Sequence, residues 1–548
     1  MVFIKKVSNS DPGDADHVGG NNWDSLDDYF ADVATGLTAA INSSTTFRDN
    51  VLKLRNPANT FSYTMRSGAI TGNRDLNFPI TTGTDTLATL SLPQTFSNKT
   101  LDNTCSVASA IGVSAGPTYV IEPTNANIDA SNGFKVTKMF KGSTTSSTYT
   151  TNVTTMFDDI LDQMTRPTAS SSTMKGGTLF LKNGTYTLET SGIIAGDSTD
   201  GANVHLRLIG ESRERTIIKT GFSGTGDSIT PHCHLDVENI TINGNNQADI
   251  GGINVNTGDV ATKILKVKNC RFTNIHGFNI FCGDTTYGVD VSECTFDTSQ
   301  VAEDLFALEA SNFAHIHHNI FDRRAGVTDW EMLTSGSLKN ANINDNIFLG
   351  LDHVNAISLE GFNAHNNYDN VLIHGNLCEN TNIVIGSSGA WSETFRNMAI
   401  MNNHLHGGTI TVYGPSTGSY TDLIKYINIE NNTLIDSWHG GINIVKVDGY
   451  CTVRNNSIKN SNISSDSFPN DKGGITLEKS RDVVCTNNFI YMGVVSPEDA
   501  DVSPYGIKHI DLINPTIINN RVVNRTVANP DIVSEGTNTG TIRITDNS

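Results

Sequence analysis

Carboxylic acids gather in the central part of this 548-residue chain. Three glutamates flank short apolar segments there, and two aspartates lie close to them in sequence. Two carboxyl groups on either side of a glycosidic bond can hydrolyse it, one acting as acid and the other as base or nucleophile. We therefore predict a glycoside-hydrolysing site with three candidate catalytic glutamates and two supporting aspartates: Glu309, Glu331, Glu360, Asp304 and Asp329.

The same acids allow other interpretations. An acidic face exposed to water would keep the chain soluble without any catalysis. Asp304 and Asp329 could hold a structural calcium ion, because calcium prefers oxygen ligands. Arg323 and Arg324 lie between them in sequence and are candidate substrate-binding residues. In a lyase they would neutralise a uronate, although they could equally pair with the neighbouring acids.

Aromatic residues follow the acids along the chain. Tyr413, Trp391 and Trp438 are candidate substrate-binding residues, since a flat ring stacks against the apolar face of a sugar. Ordinary packing in turns is the alternative. His315 and His317 share one face of the segment AHIHH and suit a metal ion, but the sequence shows no third ligand. We interpret them as surface histidines and predict no metal site from the sequence.

A recurring asparagine identifies the elements that must position these residues. It follows an aliphatic residue by three positions, recurs every 24 to 33 residues, and usually precedes another apolar residue by two. Repeats of this length indicate a solenoid, and alternation with period two indicates strands rather than helices. We predict that the side-chain amides stack as a ladder in a tight bend. The recurring residues are Asn319, Asn346, Asn376, Asn403, Asn432, Asn456, Asn487, Asn520 and Asn547, with Ile240, Cys270 and Cys294 taking the position in earlier turns.

A second strand pattern accompanies the asparagine, in segments such as LFAL (305–308), WEM (330–332) and AISL (356–359). On this pattern Glu309 and Glu331 lie on adjacent turns, two residues apart along the strand. Their separation would be about 8 Å, from the rung spacing and the rise per residue. Inverting glycosidases hold their carboxyls roughly 6.5–9.5 Å apart. Repulsion among the acids would raise the pKa of one of them. Tyr413 falls in the same outward column as Glu309 and Glu360.

The chain divides into three regions. Residues 1–115 lack the repeat and contain a helix pattern followed by short strand-like segments, as in an attachment and neck region. Residues 116–150 are rich in Ser and Thr and suggest a linker or swivel. Residues 151–548 carry the repeats. Residues 152–165 predict a helix with one apolar face, and we expect it to cap the open end of the solenoid.

Bulk composition limits the classes of partner. Net charge is −20 and the pI is near 5.1, so nucleic acid is a poor partner and neutral sugars or cations are better ones. No apolar run reaches the ~18 residues of a membrane helix. The N-terminal apolar stretch is too short for a secretory signal, so we expect release by another route. Among eight cysteines no CxxC pair occurs. Cys270 and Cys294 occupy consecutive turns, where a stack of buried thiols is favoured over a disulfide.

Two stretches of sequence resemble known families. GGTLFLKNGTYTL followed by LRLIGESRERTIIKT resembles the first turns of right-handed parallel β-helix proteins of the pectate-lyase-like superfamily, and the likeness extends over residues 175–547. FSYTMRSGAITGNRDLNFPITTGTDTLATL and TFSNKTLDN are similar to segments of tail-fibre and tailspike proteins of viruses that infect bacteria or archaea. Together they imply a homotrimeric virion tailspike that joins other virion proteins through its N-terminal region and binds a host surface glycan.

The sequence therefore predicts an all-β protein, a right-handed parallel β-helix with a capping helix, preceded by a small stalk-like region. The predicted function is a virion tailspike or fibre, extracellular when mature, that binds a host polysaccharide and hydrolyses it through paired carboxylates. A non-enzymatic adhesion fibre is the main alternative, and an extracellular polysaccharide lyase or epimerase is another. Apart from a structural calcium ion, no cofactor, nucleic acid or membrane insertion is predicted.

Overall fold

A computed structural model describes part of the chain, and the chain forms two compact units, residues 1–99 and residues 100–548. In the first unit it describes an antiparallel hairpin of Lys53–Arg55 and Ser62–Thr64. The rest of residues 1–115, for which the sequence predicts an attachment and neck region, lies outside the described residues. The described ranges are 53–55, 62–64, 116–124, 133–140, 143–149, 152–165, 176–196, 204–255, 263–284, 286–297, 304–309, 311–324, 331–360, 367–386, 394–414, 424–437, 440–460, 473–492, 505–524, 532–541 and 543–545.

The second unit is a parallel β-solenoid, as the repeats predict. Each turn contributes one strand to each of three parallel sheets, which we number in chain order within a turn. The asparagine bend joins the first sheet to the second. The second and third sheets merge where two long strands, Ile347–Glu360 and Leu377–Gly386, belong to both. Among the described strands of these three sheets, pairing runs between consecutive turns, so each turn is stabilised by its two neighbours.

The strands of the three sheets have the following bounds. The first sheet consists of Thr118–Pro123, Gly176–Leu181, His205–Gly210, His234–Glu238, Lys263–Lys268, Thr286–Ser292, Phe313–His317, Lys339–Asn344, Asn367–His374, Thr394–Met401, Ile424–Glu430, Asp448–Arg454, Arg481–Thr486, Thr516–Ile518 and Arg543–Thr545. Besides the two long strands, the second consists of Gly184–Leu188, Thr216–Thr220, Thr241–Asn243, Arg271–Thr273, Thr295–Asp297, Ile320–Asp322, His404–His406, Thr433–Ile435, Ser457–Lys459, Phe489–Met492 and Arg521–Asn524. The third consists of Ile193–Ala195, Gly226–Pro231, Ile250–Asn254, Ile280–Cys282, Phe306–Leu308, Leu333–Ser335, Ile410–Tyr413, Ile442–Val445, Gly473–Glu478, Tyr505–Ile510 and Ile532–Glu535.

Side chains at one register position stack above one another inside the solenoid. Four phenylalanines of the second sheet form such a stack: Phe272, Phe296, Phe321 and Phe348. Their ring centroids are 4.5–5.0 Å apart, and their rings are nearly parallel. This spacing matches the distance between paired strands, so identical residues in successive turns pack without voids.

The asparagine ladder predicted from the repeats is present. From Asn319 to Asn488, each ladder Nδ2 group donates to the Oδ1 atom of the next asparagine and to a backbone carbonyl of the preceding turn, as Asn403 does to Asn432 and Ile373. The backbone N–H of each asparagine also donates to the next Oδ1 atom, as in the 3.0 Å bond from Asn403 to Asn432. The ladder thus satisfies buried polar groups at the bend of every turn it crosses.

One member of the ladder differs from the prediction. Asn488, and not Asn487, donates to Asn520, and Asn487 is the preceding residue with φ of 56°. Cys485 aligns with the aliphatic residues of neighbouring turns, so the inward asparagine comes three residues after it. The residue before the ladder position has a left-handed backbone conformation in many turns, and this conformation favours Asn or Gly. Asn547 lies outside the part of the chain that is described.

The cysteines of the early turns continue the ladder. The N–H of Cys294 donates to Asn319 Oδ1, and the N–H of Cys270 lies 3.4 Å from Cys294 Sγ. Both thiols are free and buried. The stack of buried thiols is therefore confirmed, and the disulfide is not formed.

A helix, Val153–Thr165, covers the N-terminal end of the solenoid as predicted. Its apolar face is fully buried, and Phe157 packs against Tyr186 in the first complete turn. The side chain of Asn152 caps its first turn by accepting the N–H of Thr155. Within the described part of the chain, no helix is long and apolar enough to cross a membrane.

The predicted linker is wrong for the described parts of residues 116–150. Thr118–Pro123 pairs in parallel with the first strand of the solenoid and antiparallel with Phe134–Phe140. Phe134–Phe140 in turn pairs with Ser143–Tyr149. Alternating residues such as Ile121 and Phe134 are buried and supply the core contacts that the Ser/Thr-rich composition obscured. Thr is also a favourable strand residue, so an edge strand forms in that segment.

Candidate functional site

Strand register separates two of the predicted catalytic residues. Leu308 pairs with Ser335, which places Glu309 beside Gly336. Glu331 lies five residues before Gly336, so Glu309 and Glu331 are roughly 17 Å apart along the sheet rather than 8 Å. The predicted pair is therefore wrong. The segment WEM is not the strand of this turn, because Met332 and Leu333 are both buried where the chain bends into Leu333–Ser335.

The carboxyl end of the third sheet instead brings Glu309 and Glu360 into one column. The pairing Ser335–Leu359 continues the register, so Glu360 lies one turn beyond Gly336, and Gly386 and Tyr413 follow in the next two turns. We call Glu309, Gly336, Glu360, Gly386 and Tyr413 the Glu309–Tyr413 column. The predicted common column of Glu309, Glu360 and Tyr413 is confirmed. Glycine at every second position leaves space between the functional side chains.

Tyr413 lies across the turn that separates it from Glu360. Its hydroxyl donates to Glu360 Oε1 at 2.7 Å. A Cβ atom on Gly386 would approach the Tyr413 ring to 2.7 Å, closer than carbon atoms pack. Only glycine therefore allows the ring to lie over Gly386 and reach the carboxylate. The hydrogen bond holds the Glu360 carboxylate in a fixed position.

Glu309 is half-buried at the end of the Glu309–Tyr413 column opposite Tyr413. Burial, with the charge of Asp284 second, raises the pKa of Glu309 above its usual value. The raised pKa favours the protonated form, which is the form that a general acid needs. Glu309 and Glu360 thus have different surroundings, since one is desolvated and the other accepts a tyrosine hydrogen bond.

Asp304 and Glu331 form a second acidic group at the bend that leads into the third sheet. The N–H of Glu331 donates to Asp304 Oδ1 at 2.9 Å. Burial, with the Glu331 charge second, raises the pKa of Asp304 to about 8. Asn355 in the next turn donates to Glu331 Oε1 at 3.3 Å. At neutral pH this group therefore holds a proton on Asp304.

The two arginines have different surroundings. Arg323 is only 1 % exposed, and its Nη1 atom donates to the backbone carbonyl of Glu331 at 2.7 Å. It supports the Asp304–Glu331 group and presents no surface to a sugar. Arg324 is exposed and pairs with Asp322 at 2.7 Å. Both arginines bind protein groups in this structure, as the alternative interpretation of the sequence allowed.

The pKa of Asp304 predicts a specific dependence of stability on pH. In the unfolded chain Asp304 ionises near pH 4, whereas in the folded protein it keeps its proton up to about pH 8. The resulting stabilisation is present below pH 4 and is lost as the pH rises through 8. Asp304→Asn cannot ionise and keeps an oxygen for the Glu331 N–H. We therefore expect the variant to gain stability relative to the wild type as the pH rises from 4 to 9.

Urea unfolding of both proteins across this range measures the difference. Comparing the two proteins at each pH cancels the contributions of titrating groups that do not interact with Asp304, so the difference reports Asp304 together with its partner Glu331. Parallel curves would show that Asp304 titrates normally in the folded protein.

Other predicted site residues lie beyond the described ranges: Asp329, Trp391 and Trp438. Their roles, and a calcium ion held by Asp304 and Asp329, remain predictions. Sequence reasoning missed Gly336, Gly386 and Asn355. The two glycines were recognisable, because LTSG and NIVIG end on glycine where LFALE and AISLE end on glutamate.

Comparisons with known proteins give remote likenesses. No family model and no curated protein matches the chain. Among solved structures, the chain is similar to the mannuronan C-5 epimerase AlgE4 A-module of Azotobacter vinelandii, with 12% identity, a TM-score of 0.32, and coverage of 68% of this chain and 91% of that one. The chain is also similar to the catalytic unit of the GH87 alpha-1,3-glucanase of Streptomyces thermodiastaticus strain HF3-3, with 12% identity and a TM-score of 0.34. This match covers 77% of this chain and 80% of the glucanase chain. Geobacillus virus E2 ORF18 matches with 12% identity and a TM-score of 0.19, over 79% of this chain and 71% of the viral chain. Scores this low leave any argument about function to the geometry of the site.

Proposed function

We propose that this chain is a virion tailspike or fibre whose β-helix binds a host surface polysaccharide and hydrolyses it at the Glu309–Tyr413 column. One observation carries the proposal: two glutamates lie in one outward column with only glycine between them. In this proposal Glu309 protonates the glycosidic oxygen. Glu360 removes a proton from the water that attacks the opposite face of the sugar.

The spacing of the column fits an inverting reaction. Two rungs of a parallel sheet separate the backbones of Glu309 and Glu360 by about 9.6 Å. Inverting enzymes hold their carboxyls roughly 6.5–9.5 Å apart, a distance that the Glu309 side chain would reach by leaning towards Glu360, whose carboxylate is held by Tyr413. Gly336 has no side chain, so a water molecule and a glycosidic oxygen can occupy the space between them.

The Asp304–Glu331 group is less suitable for this reaction. Asp304 Oδ1 already accepts the Glu331 N–H, and the two carboxyls are so close that, besides burial, the Glu331 charge raises the pKa of Asp304, so they do not flank the gap that a sugar and a water molecule need. We propose that Asp304 and Glu331, with Asp329, support the site from the other end of the strand. Because Arg323 is buried against Glu331, it gives no support to a lyase that must neutralise a uronate.

Charge and aromatic residues define the class of glycan. A net charge of −20 disfavours a polyanionic substrate, so we propose a neutral polysaccharide. Tyr413 would contact a sugar beside Glu360. Trp391 lies in the segment that continues from Gly386 and Trp438 lies further along the chain, and both remain proposed stacking platforms.

The virion role rests on the N-terminal sequence. Residues 61–103 include the segments similar to tail-fibre and tailspike proteins. Assembly as a homotrimer, attachment to other virion proteins through residues 1–115 and an extracellular position in the mature particle belong to this proposal. Imaging of virus particles with a labelled form of this chain tests them.

Incubation of the purified chain with polysaccharides tests the activity. We would use polysaccharide extracted from candidate host cells together with dextran and laminarin, and measure binding and new reducing ends. If the chain hydrolyses the glycan, the wild type should release new reducing ends. The control variant Glu379→Gln, which removes an exposed carboxylate from the second sheet, should release them too. Binding without release would overturn hydrolysis in favour of an adhesion fibre. Unsaturated or epimerised products would favour a lyase or epimerase.

A further inference from the structure

Three potential metal ligands meet on the outer face of the first sheet, away from the acids described above. Asp290 in Thr286–Ser292 pairs directly with His315 in Phe313–His317. His317 lies two residues further along the same strand and therefore on the same face. One ligand atom from each of the three residues lies within 4.8 Å of the others. The sequence left the histidines without a third ligand, and strand register supplies it.

The Asp290 carboxylate is incompletely satisfied. Its Oδ1 atom is buried, and within the described part of the chain no hydrogen-bond donor reaches it. His317 Nε2 is 3.6 Å away, which is too long for a hydrogen bond. Two ligands of one tetrahedral ion with bonds of 2.0–2.1 Å are separated by roughly 3.4 Å. The distance therefore suits two atoms that bind the same ion better than two atoms that bind each other.

A neighbouring histidine can fix the orientation of His317. Its Nδ1 atom lies 2.8 Å from Nδ1 of His318, so a single proton is shared between them. When His317 carries that proton on Nδ1, its Nε2 lone pair is free to bind a metal. Metal-binding histidines commonly use the second ring nitrogen for such a bond, which orients the ring. The rings of His315 and His317 are stacked with their centroids 3.9 Å apart, so the two imidazoles lie next to each other on this face.

We propose that Asp290, His315 and His317 bind one zinc-class divalent ion. Two imidazoles and one carboxylate form a donor set that zinc and its first-row neighbours accept. Calcium would need six to eight oxygen ligands, which this group does not offer. Three protein ligands leave a coordination position for water. Asp290 and His315 also line a surface depression of about 400 Å³, so an ion can enter from solvent.

Zinc titration of the full chain, stripped of metal with a chelator and followed by calorimetry, tests the proposal. We expect one zinc equivalent that is lost or weakened about tenfold or more in His317→Ala, His315→Ala and Asp290→Asn. X-ray absorption at the zinc edge should show a nitrogen and oxygen shell at about 2.0–2.1 Å. Calcium should produce no saturable binding at this group.

The chain offers a matched control. His404 and His406 have the same alternate spacing on a strand of the second sheet, and His406 Nε2 lies 3.5 Å from Asp436 Oδ2. The described structure does not gather these three residues into a comparable cluster. His404→Ala/His406→Ala should therefore retain the zinc equivalent. The proposal is overturned if zinc binding persists in both His317→Ala and Asp290→Asn, or if the control pair loses it equally. Circular dichroism of each variant confirms that the solenoid has folded.

Discussion

Glu309→Gln is expected to reduce kcat for polysaccharide hydrolysis about 10²–10⁴-fold, the range for removal of a general acid. The amide has nearly the same shape as the carboxyl group but cannot deliver a proton. Substrate binding should remain close to that of the wild type, because the sugar contacts of the column are intact. Initial rates of reducing-end release, with binding measured separately by co-sedimentation, give the two quantities.

The pH dependence tests the role of Glu309 independently. A general acid works while protonated, so the rate should fall as the pH rises through the raised pKa of Glu309. Glu309→Gln should lose this alkaline limb. Asp284→Asn removes one cause of the raised pKa while keeping the Asp284 backbone N–H, and should move the limb to lower pH. An unchanged limb in Glu309→Gln would exclude Glu309 as the acid, even if the chain still cuts the glycan.

Asn403→Ala is expected to lower the free energy of unfolding by about 2–5 kcal/mol. The substitution removes the acceptor of both the N–H and the Nδ2 group of Asn376. A buried donor left without a partner costs roughly 1–3 kcal/mol. The substitution also deprives Ile373 of the donor to its carbonyl group. Chemical denaturation measures the total effect.

Hydrogen exchange locates the damage. The amide of Asn376 should lose its protection in Asn403→Ala, whereas the amide of Asn319, which donates to Asn346, should keep it. Asn402→Gly is the control from the adjacent position. Asn402 has φ of 56°, a conformation that glycine adopts freely, so the stability should change by about 1 kcal/mol or less. Equal losses in the two variants would show that the ladder bonds contribute little.

Much of the fold follows from local patterns in the sequence. The alternation in segments such as LRLIG (206–210) determines which side chains face the core, and the apolar spacing of residues 152–165 determines the capping helix. The ladder also follows from spacing alone. The repeat spacing predicts Asn487 where the structure has Asn488, because two asparagines stand in tandem and only the alignment of Cys485 with its neighbours decides between them.

The site was less predictable because it depends on register between turns. Met332 and Leu333 both face the core at a bend, and this single irregularity displaced Glu331 from the expected strand position. The pairing of Asp290 with His315 likewise joins residues that are distant in sequence. Column positions can be derived from sequence only where every turn keeps strict alternation, and several strands of the third sheet are buried at every position.

The ladder bend also separates the parts of the chain that tolerate change from those that do not. Counted between ladder asparagines from Asn319 to Asn520, repeat length varies between 24 and 32 residues, while the bend from the first sheet to the second keeps a residue with left-handed backbone conformation followed by the inward asparagine. Variation in length is therefore confined to the connections elsewhere in the turn. Duplication of one whole repeat would lengthen the rod by about 4.8 Å and create no new kind of contact. Evolution can thus adjust the length of the solenoid and the length of its connecting loops as two independent traits.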